Sequence, residues 1–456
     1  MKKRLTALVL AASVMLILPG CGEKISPNTP IQSAETQHMI VKASYPVQVQ
    51  FPDADDYHDD WEKYNEQWDL WREDAQQRRA GQVDNDVLAD FLTTAVPELL
   101  TGTVGNEVCS PVNIYMALAM LSEVTHGNTR AEIFQTLGVY SLEEMREKAA
   151  KVWNTAYRND GAVTSILASS LWMDEELDYN SETVQALADN YYASSYKGEM
   201  GSDSMNTALR SWINEQTGGL LEQQASDLEL SPETILALAS TVYFRAKWSQ
   251  EFNPDRTTEG EFVILSPDGG TIPCEFMNSS GTNTYYWSDN FGAVSCRLEN
   301  GGKMWFIRPD HEEGVSVASL LDDPTTMEFI LADGNWENSK FLVVNFSVPK
   351  FDVAGEKDLV NALRNLGITD VFDPSAADFT PITSSDGVFV SEVDHAARVA
   401  IDEEGVTAAA YTVIPAPGGA RPPDEEMDFI LDKPFVFAIT GETGLPLFMG
   451  VVNTPT

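Results

Sequence analysis

Residues 401–420 read Ile401-Asp402-Glu403-Glu404-Gly405-Val406-Thr407-Ala408-Ala409-Ala410-Tyr411-Thr412-Val413-Ile414-Pro415-Ala416-Pro417-Gly418-Gly419-Ala420. Three acids open the stretch, and from 406 to 420 no charge occurs, in a chain where 22% of residues are charged. The first part holds small residues and strand formers. The second part, with Pro415, Pro417, Gly418 and Gly419, cannot join a central strand and is expected to stay exposed. An exposed, uncharged segment of this length makes a good protease substrate, although a plain Ala-rich surface linker would read the same way.

From about residue 84 to the C-terminus the chain alternates helical and strand patterns, without a linker or an internal repeat. Apolar spacing predicts helices over 86–100, 111–126, 141–157, 181–190, 205–216 and 356–366, with Ser141 placed to cap onto Glu144. Strand-like runs fall at 166–173, 235–244, 341–348, 388–401 and 435–439. One mixed α/β domain over 84–456 follows. Ahead of it, Tyr57, Trp61, Tyr64, Trp68 and Trp71 recur at 4-3-4-3 spacing, which lines them up on one stripe of a helix within 57–83. Such a helix either packs on the body of the protein or docks a wall component or partner.

Residues 21–56 are rich in Pro, Ser, Asp and Gln and read as a tether. Lys2, Lys3 and Arg4 precede an apolar run over 5–18, short for a bilayer span but suited to a signal peptide covering 1–20. The run ends in Leu18-Pro19-Gly20-Cys21, which resembles the bacterial lipobox, where the cysteine is lipidated and becomes the new N-terminus. An extracellular protein, anchored through Cys21 to the bacterial membrane by lipid alone, is therefore expected.

Lys+Arg 29 against Asp+Glu 70 gives −41. Residues 1–20 carry three of those bases and no acid, so the remainder has 26 against 70, or −44. Nucleic acid would be repelled by such a surface. The five histidines are scattered; no H-E-x-x-H, P-loop, G-x-S-x-G or G-x-G-x-x-G is present, so no metal, cofactor or catalytic residue is expected. A hydrolase built on scattered carboxylates has no pattern to support it. Cys109, Cys274 and Cys296 are odd in number and none sits in a CxxC pair, so all three are expected as packed thiols.

The stretch from Ile401 to Ala410 resembles the hinge of a serpin reactive loop. Asn106-Glu107-Val108-Cys109-Ser110-Pro111-Val112-Asn113-Ile114, Gly127-Asn128-Thr129-Arg130-Ala131-Glu132-Ile133, Thr241-Val242-Tyr243-Phe244-Arg245-Ala246-Lys247-Trp248, Val348-Pro349-Lys350-Phe351, Asp432-Lys433-Pro434-Phe435-Val436-Phe437 and Leu447-Phe448-Met449-Gly450 are similar to that family too, in the same order. The departures are Ser240 where the family commonly has Asn, Asn113 where Ser is usual, and Val406 for a frequent Thr.

The resemblance implies the serpin fold: three β-sheets, eight or nine helices and an exposed reactive-centre loop. It implies a monomeric suicide substrate for a serine, or alternatively a cysteine, protease and not an enzyme; a non-inhibitory binding or storage protein on the same fold is the alternative. The hinge would comprise Glu403, Glu404, Gly405, Val406, Thr407, Ala408, Ala409 and Ala410, with Glu403 latched to Lys350. His395 would belong, with Ser110 and Asn113, to a hydrogen-bond cluster under the sheet. At the family's usual spacing from Glu403 the scissile bond falls at Gly419–Ala420, with Gly418 and Arg421 as alternates. Arg421 precedes Pro422, whose ring hampers cleavage there. Small residues at the cut suit an elastase-like or subtilisin-like target.

Overall fold

The computed structural model describes residues 11–14, 37–52, 54–57, 60–82, 85–101, 105–218, 226, 228–264, 269–310, 315–391, 393–406 and 423–455. Helices start where a short polar side chain can take a backbone N–H. Ser110, Ser141, Asn180, Ser202, Ser316 and Asp323 cap α3 (Pro111–Val124), α5 (Leu142–Ala156), α6 (Ser181–Tyr191), α7 (Asp203–Gln216), α8 (Val317–Asp322) and α9 (Pro324–Ala332). Asp60 does the same for α1 (Trp61–Ala80), while α2 (Ala89–Leu99), α4 (Gly127–Leu137) and α10 (Val360–Asn365) lack a side-chain cap. The expected Ser141 cap forms onto the Glu144 amide, and Glu144 reaches back to the Tyr140 amide instead of to Ser141.

Hydrogen bonds join the described strands into two networks. The first runs in the order β13-β14-β1-β7-β5-β6-β2, with β4 on β5 and β15 on β7. Its members are β1 (Ala11–Val14), β2 (Met39–Val41), β4 (Arg158–Asn159), β5 (Thr164–Asp174), β6 (Ala193–Gly198), β7 (Leu236–Lys247), β13 (Phe351–Asp358), β14 (Asp394–Ile401) and β15 (Gly405–Val406). The second comprises β3 (Glu107–Cys109), β8 (Thr258–Val263), β9 (Thr271–Trp287), β10 (Phe291–Arg297), β11 (Lys303–Pro309), β12 (Ser339–Pro349), β16 (Glu426–Ile430), β17 (Phe435–Thr440) and β18 (Pro446–Val452). Long β9 pairs with β8 at its start and β10 at its end, so this network makes two sheets, three in all. The mixed α/β class, the three sheets and the helical complement fit the expectation. Ten α-helices occur among the described residues; the six-residue α8 and α10 are too short for periodicity to announce.

The main core lies between the first sheet and the others, threaded by α3, all of whose residues are buried. The opposite face of the first sheet is covered by α7: Trp172, Ala237 and Ala239 of the sheet pack with Met205, Leu209 and Trp212. The central strands are therefore buried on both faces, and they run apolar with small polar residues between. Between β7 and β14, β1 lies parallel to both, paired as Ala11↔Ser240 to Val14↔Tyr243 and Ser13↔Ala397.

Three sequence expectations change. The helix expected over 356–366 is confined to α10, because Glu356 and Lys357 continue β13 against β14. The strand expected over 388–401 begins only at Asp394. Residues 39–52, expected as the end of a tether, lie on the body of the protein; Met39, Ile40, Val41 and Tyr45 supply apolar contacts that a Pro- and Gln-rich composition conceals. In α1 the aromatic stripe divides: Trp71 is buried, Tyr64 and Trp68 are half-buried, and Trp61 is 62% exposed.

Glu123 joins three helices beneath this core. Its buried carboxylate accepts from Arg146 Nε at 2.9 Å and Nη2 at 2.5 Å, and from the Tyr191 hydroxyl at 3.1 Å. Replacing Glu123 by Ala strands a half-buried guanidinium. We expect a loss of about 3 kcal/mol in urea unfolding, on the scale of breaking one partner of a buried pair.

Candidate functional site at the loop hinge

Strand β14 ends at Ile401, and Asp402 to Glu404 turn over the top of the first sheet before β15 begins at Gly405. The turn is closed by its own first residue: the Asp402 carboxylate accepts from the amides of Glu404 at 2.9 Å and Gly405 at 3.1 Å, and Asp402 N donates to Gly405 O at 3.1 Å. Burial pushes the Asp402 carboxyl above its usual range against those bonds. The outside of the turn is held by Trp248, whose Nε1 donates to Asp402 O at 2.8 Å, and by the Phe252 amide, which donates to Glu403 O at 2.8 Å.

Beyond the turn, β15 pairs antiparallel with the end of β7, Gly405↔Lys247 and Val406↔Ala246. A Cβ on Gly405 would lie 2.7 Å from both Ala246 O and Lys247 Cα, so glycine alone permits this approach. Val406 is fully buried beside Ala246. Beyond Ala246, the core-facing residues of β7 are Phe244 and Val242, followed by buried Ser240.

Glu403 points the other way. Its Oε1 lies 2.8 Å from Lys350 Nζ and accepts from the Thr257 hydroxyl at 2.7 Å, while Lys350 also reaches Glu275 at 3.2 Å. Burial opposes the Glu403 charge, but the bonds from Lys350 and Thr257 outweigh it and hold the carboxyl below its usual value. Burial likewise opposes the Lys350 charge, and the two carboxylates overcome it to raise the ammonium.

Lower in the sheet, Ser110, Asn113 and His395 come together, with different bonds from those expected. His395 Nε2 accepts from the Ser110 backbone amide at 3.2 Å, and Ser110 Oγ caps the Asn113 amide at 3.3 Å. Asn113 does not bond to His395; its Oδ1 accepts from Ser240 Oγ, which in turn lies 3.3 Å from Ser169 Oγ. The two departures from the family pattern therefore meet across one hydrogen bond. Burial depresses the His395 pKa to about 3, so the ring stays neutral and unsuited to proton transfer near pH 7.

Thr407, Ala408, Ala409, Ala410, Gly418, Gly419, Ala420, Arg421 and Cys21 lie outside the described residues. Sequence reasoning missed Thr257, Glu275 and Ser169, which carry no local signal, and the hinge-holding role of Trp248, which sits in a motif already noticed. Among the described residues no cluster of His, Cys, Asp or Glu could hold a metal ion, and no disulfide forms between Cys109, Cys274 and Cys296.

Residues 88–455 match the family model described as Serpin (serine protease inhibitor). Serpin-ZX of Arabidopsis thaliana is 27% identical over 365 residues, 77% of this chain and 92% of the relative. The leukocyte elastase inhibitor of Homo sapiens is 26% identical over 358 residues, 77% and 93% of the two chains. The native crystal structure of the thermophilic serpin tengpin superposes with a TM-score of 0.70 at 25% identity, covering 82% of this chain and 95% of that one.

Two expectations follow from the bonds just described. Ser240→Asn alone crowds Asn113 and should lower the melting temperature, whereas Asn113→Ser with Ser240→Asn restores the bond with its ends reversed. A double-mutant cycle should show a favourable coupling of about 1 kcal/mol or more. The Glu403 pKa is lowered on folding, so the pair with Lys350 contributes fully above the ordinary glutamate pKa of 4.5 and is lost as pH falls through the lower folded value. Lys350, being raised, keeps its charge throughout that range. The rate of spontaneous conversion to loop-inserted or polymeric forms should thus be flat from pH 8 down to about 5 and rise below it. In Glu403→Gln that acid step should be reduced.

Proposed function

The chain belongs to the serpin family, whose members are generally protease inhibitors, and from that premise we propose that it is a suicide-substrate inhibitor of a serine protease outside the cell. The observation that carries the reading is β15. Two residues of the loop already pair with β7, in the direction an inserting strand must take. The residues that follow, Thr407 to Ile414, carry no charge and are mostly small, as a slot covered on both faces requires.

In this reading the protease serine attacks the carbonyl carbon of Gly419, the Gly419–Ala420 amide breaks, and the amine of Ala420 leaves with a proton. The enzyme remains as an ester on Gly419. With residues 1–20 removed as a signal peptide, the freed segment then adds to the first sheet between β7 and β14, at the place β1 takes in the structure, and carries the protease away from the hinge before water can release it. The native form is thus a kinetic trap, held until cleavage. Lys350 and Glu403 act as its latch, and Gly405 lets the chain pass close over Ala246. Small residues at the bond suit an elastase-like or subtilisin-like target. Attachment through a lipidated Cys21, with the inhibitor acting as a monomer at the bacterial cell surface, belongs to the same proposal. A binding or storage role on this fold would leave the loop cleavable without insertion.

The test is incubation with an elastase, followed by denaturing electrophoresis. We expect an SDS-resistant complex, release of a fragment beginning at Ala420, and a melting temperature raised by tens of degrees after nicking, since added strand pairing and roughly 25 cal/mol per Å² of buried apolar area stabilise the cleaved form. Ala408→Arg would bury a guanidinium on insertion and should turn the inhibitor into a substrate, cut but not trapping. Unchanged melting after nicking, or full inhibition by Ala408→Arg, would remove the inhibitory reading; a released fragment beginning at Pro422 would move the bond to Arg421.

A further inference from the structure

Residues 39–82 precede the stretch that matches the family model, yet they are bound to it along an edge of the first sheet. Strand β2 adds to β6, the Ala43 amide donates to Ser194 Oγ at 3.0 Å, and the Phe51 amide donates to Asp160 O at 2.6 Å. Tyr45 lies 5.6 Å from Trp153, ring centroid to centroid. Helix α1 then returns over the same place. Trp71 Nε1 and Arg78 Nη2 each lie 3.1 Å from Asp160 Oδ2.

Asp160 sits in the hairpin between β4 and β5 and is fully buried. Arg158 Nε at 2.8 Å and the amides of Ala162 and Val163 complete its shell. Burial opposes the charge, and Arg158 leads the contacts that nonetheless keep the carboxyl low. One residue beyond Arg78, Arg79 bonds to Glu442 in the turn between β17 and β18, and Arg158 Nη1 lies 3.8 Å from the same carboxylate. Asp160 belongs to the first sheet and Glu442 to the second network, so α1 spans the two.

We propose that the described parts of residues 39–82 form an intramolecular clasp that holds the β7 side of the first sheet against the second network and resists movement of β7 when a loop strand takes the place of β1 between β7 and β14. The mechanical reason is the hydrogen bonding. Strand β5 is paired to β7 from Thr164↔Arg245 to Met173↔Leu236, and β6 is paired to β5. If β7 moves to admit a strand, β5, β6 and the Asp160 hairpin must move with it, while Glu442 stays with β17 and β18. The contacts of Arg79 and Arg158 with Glu442 cross that seam. The clasp rests on the inhibitory reading, because only insertion requires the seam to open.

The probe is a labelled peptide of residues 405–416, offered to the purified chain, with its uptake followed over time. Glu442→Gln removes the carboxylate used by both arginines and leaves the hinge and Asp160 intact. Its uptake should be about three to ten times faster than that of the unmodified chain, the scale of a surface-edge ion pair acting on a barrier, with little change in the urea midpoint. Arg79→Gln should act in the same direction to a smaller degree. Equal uptake in all three proteins overturns the clasp and leaves the inhibitory reading standing. Faster uptake matched by an equal loss of global stability also overturns it, since the contact would then be ordinary packing. No uptake by any of them removes both proposals.

Discussion

A sheet covered on both faces can take another strand only if that strand brings no charge with it. The first sheet is in that position, with the main core on one side and α7 on the other. The condition is met over Leu236–Phe244 of β7 and Ser165–Met173 of β5, and by the uncharged run from Val406 onward, while β14 carries Arg398 paired with Asp352.

Charge is excluded from the slot but placed at its rim. Glu403, Lys350, Thr257 and Glu275 form a network at the top, where partial exposure keeps desolvation tolerable. The deeper cluster uses neutral groups, with Ser240, Asn113 and Ser169 sharing hydroxyl and amide bonds beside a histidine that burial holds uncharged. The deeper cluster joins β7 to β5 and α3, and the rim network joins the turn after β14 to the second network.

Much of the hinge is local in origin, and for that reason legible. The missing charge over 406–420, the glycine at 405 and the prolines beyond 414 are properties of the chain itself, and the family likeness orders them. Helices with a polar cap, such as those starting at 111, 141 and 181, were readable to within a residue or two. Elements whose neighbours decide them were not. Glu356 and Lys357 have helical composition but extend β13 because β14 supplies the ladder, and residues 39–52 look like linker until Tyr45 meets the aromatic rings of Trp153 and Tyr157.

By itself, the sequence determined the α/β character, the uncharged stretch over 406–420, the glycine at 405 and the net negative charge, which are set by composition or by spacing along a short stretch, and the family likeness supplied the fold. Only the tertiary structure decided which distant groups share a bond. Asn113 and Ser240 read as two separate departures from the family pattern and prove to share one hydrogen bond across 127 positions. Asp160 was an unremarked acid until Trp71, Arg78 and Arg158 converged on it. Glu442 gave no sign that it would face Arg79 across 363 positions. Such pairings are chosen by where packed elements bring side chains together, and a buried or half-buried charge takes whichever partner the fold delivers.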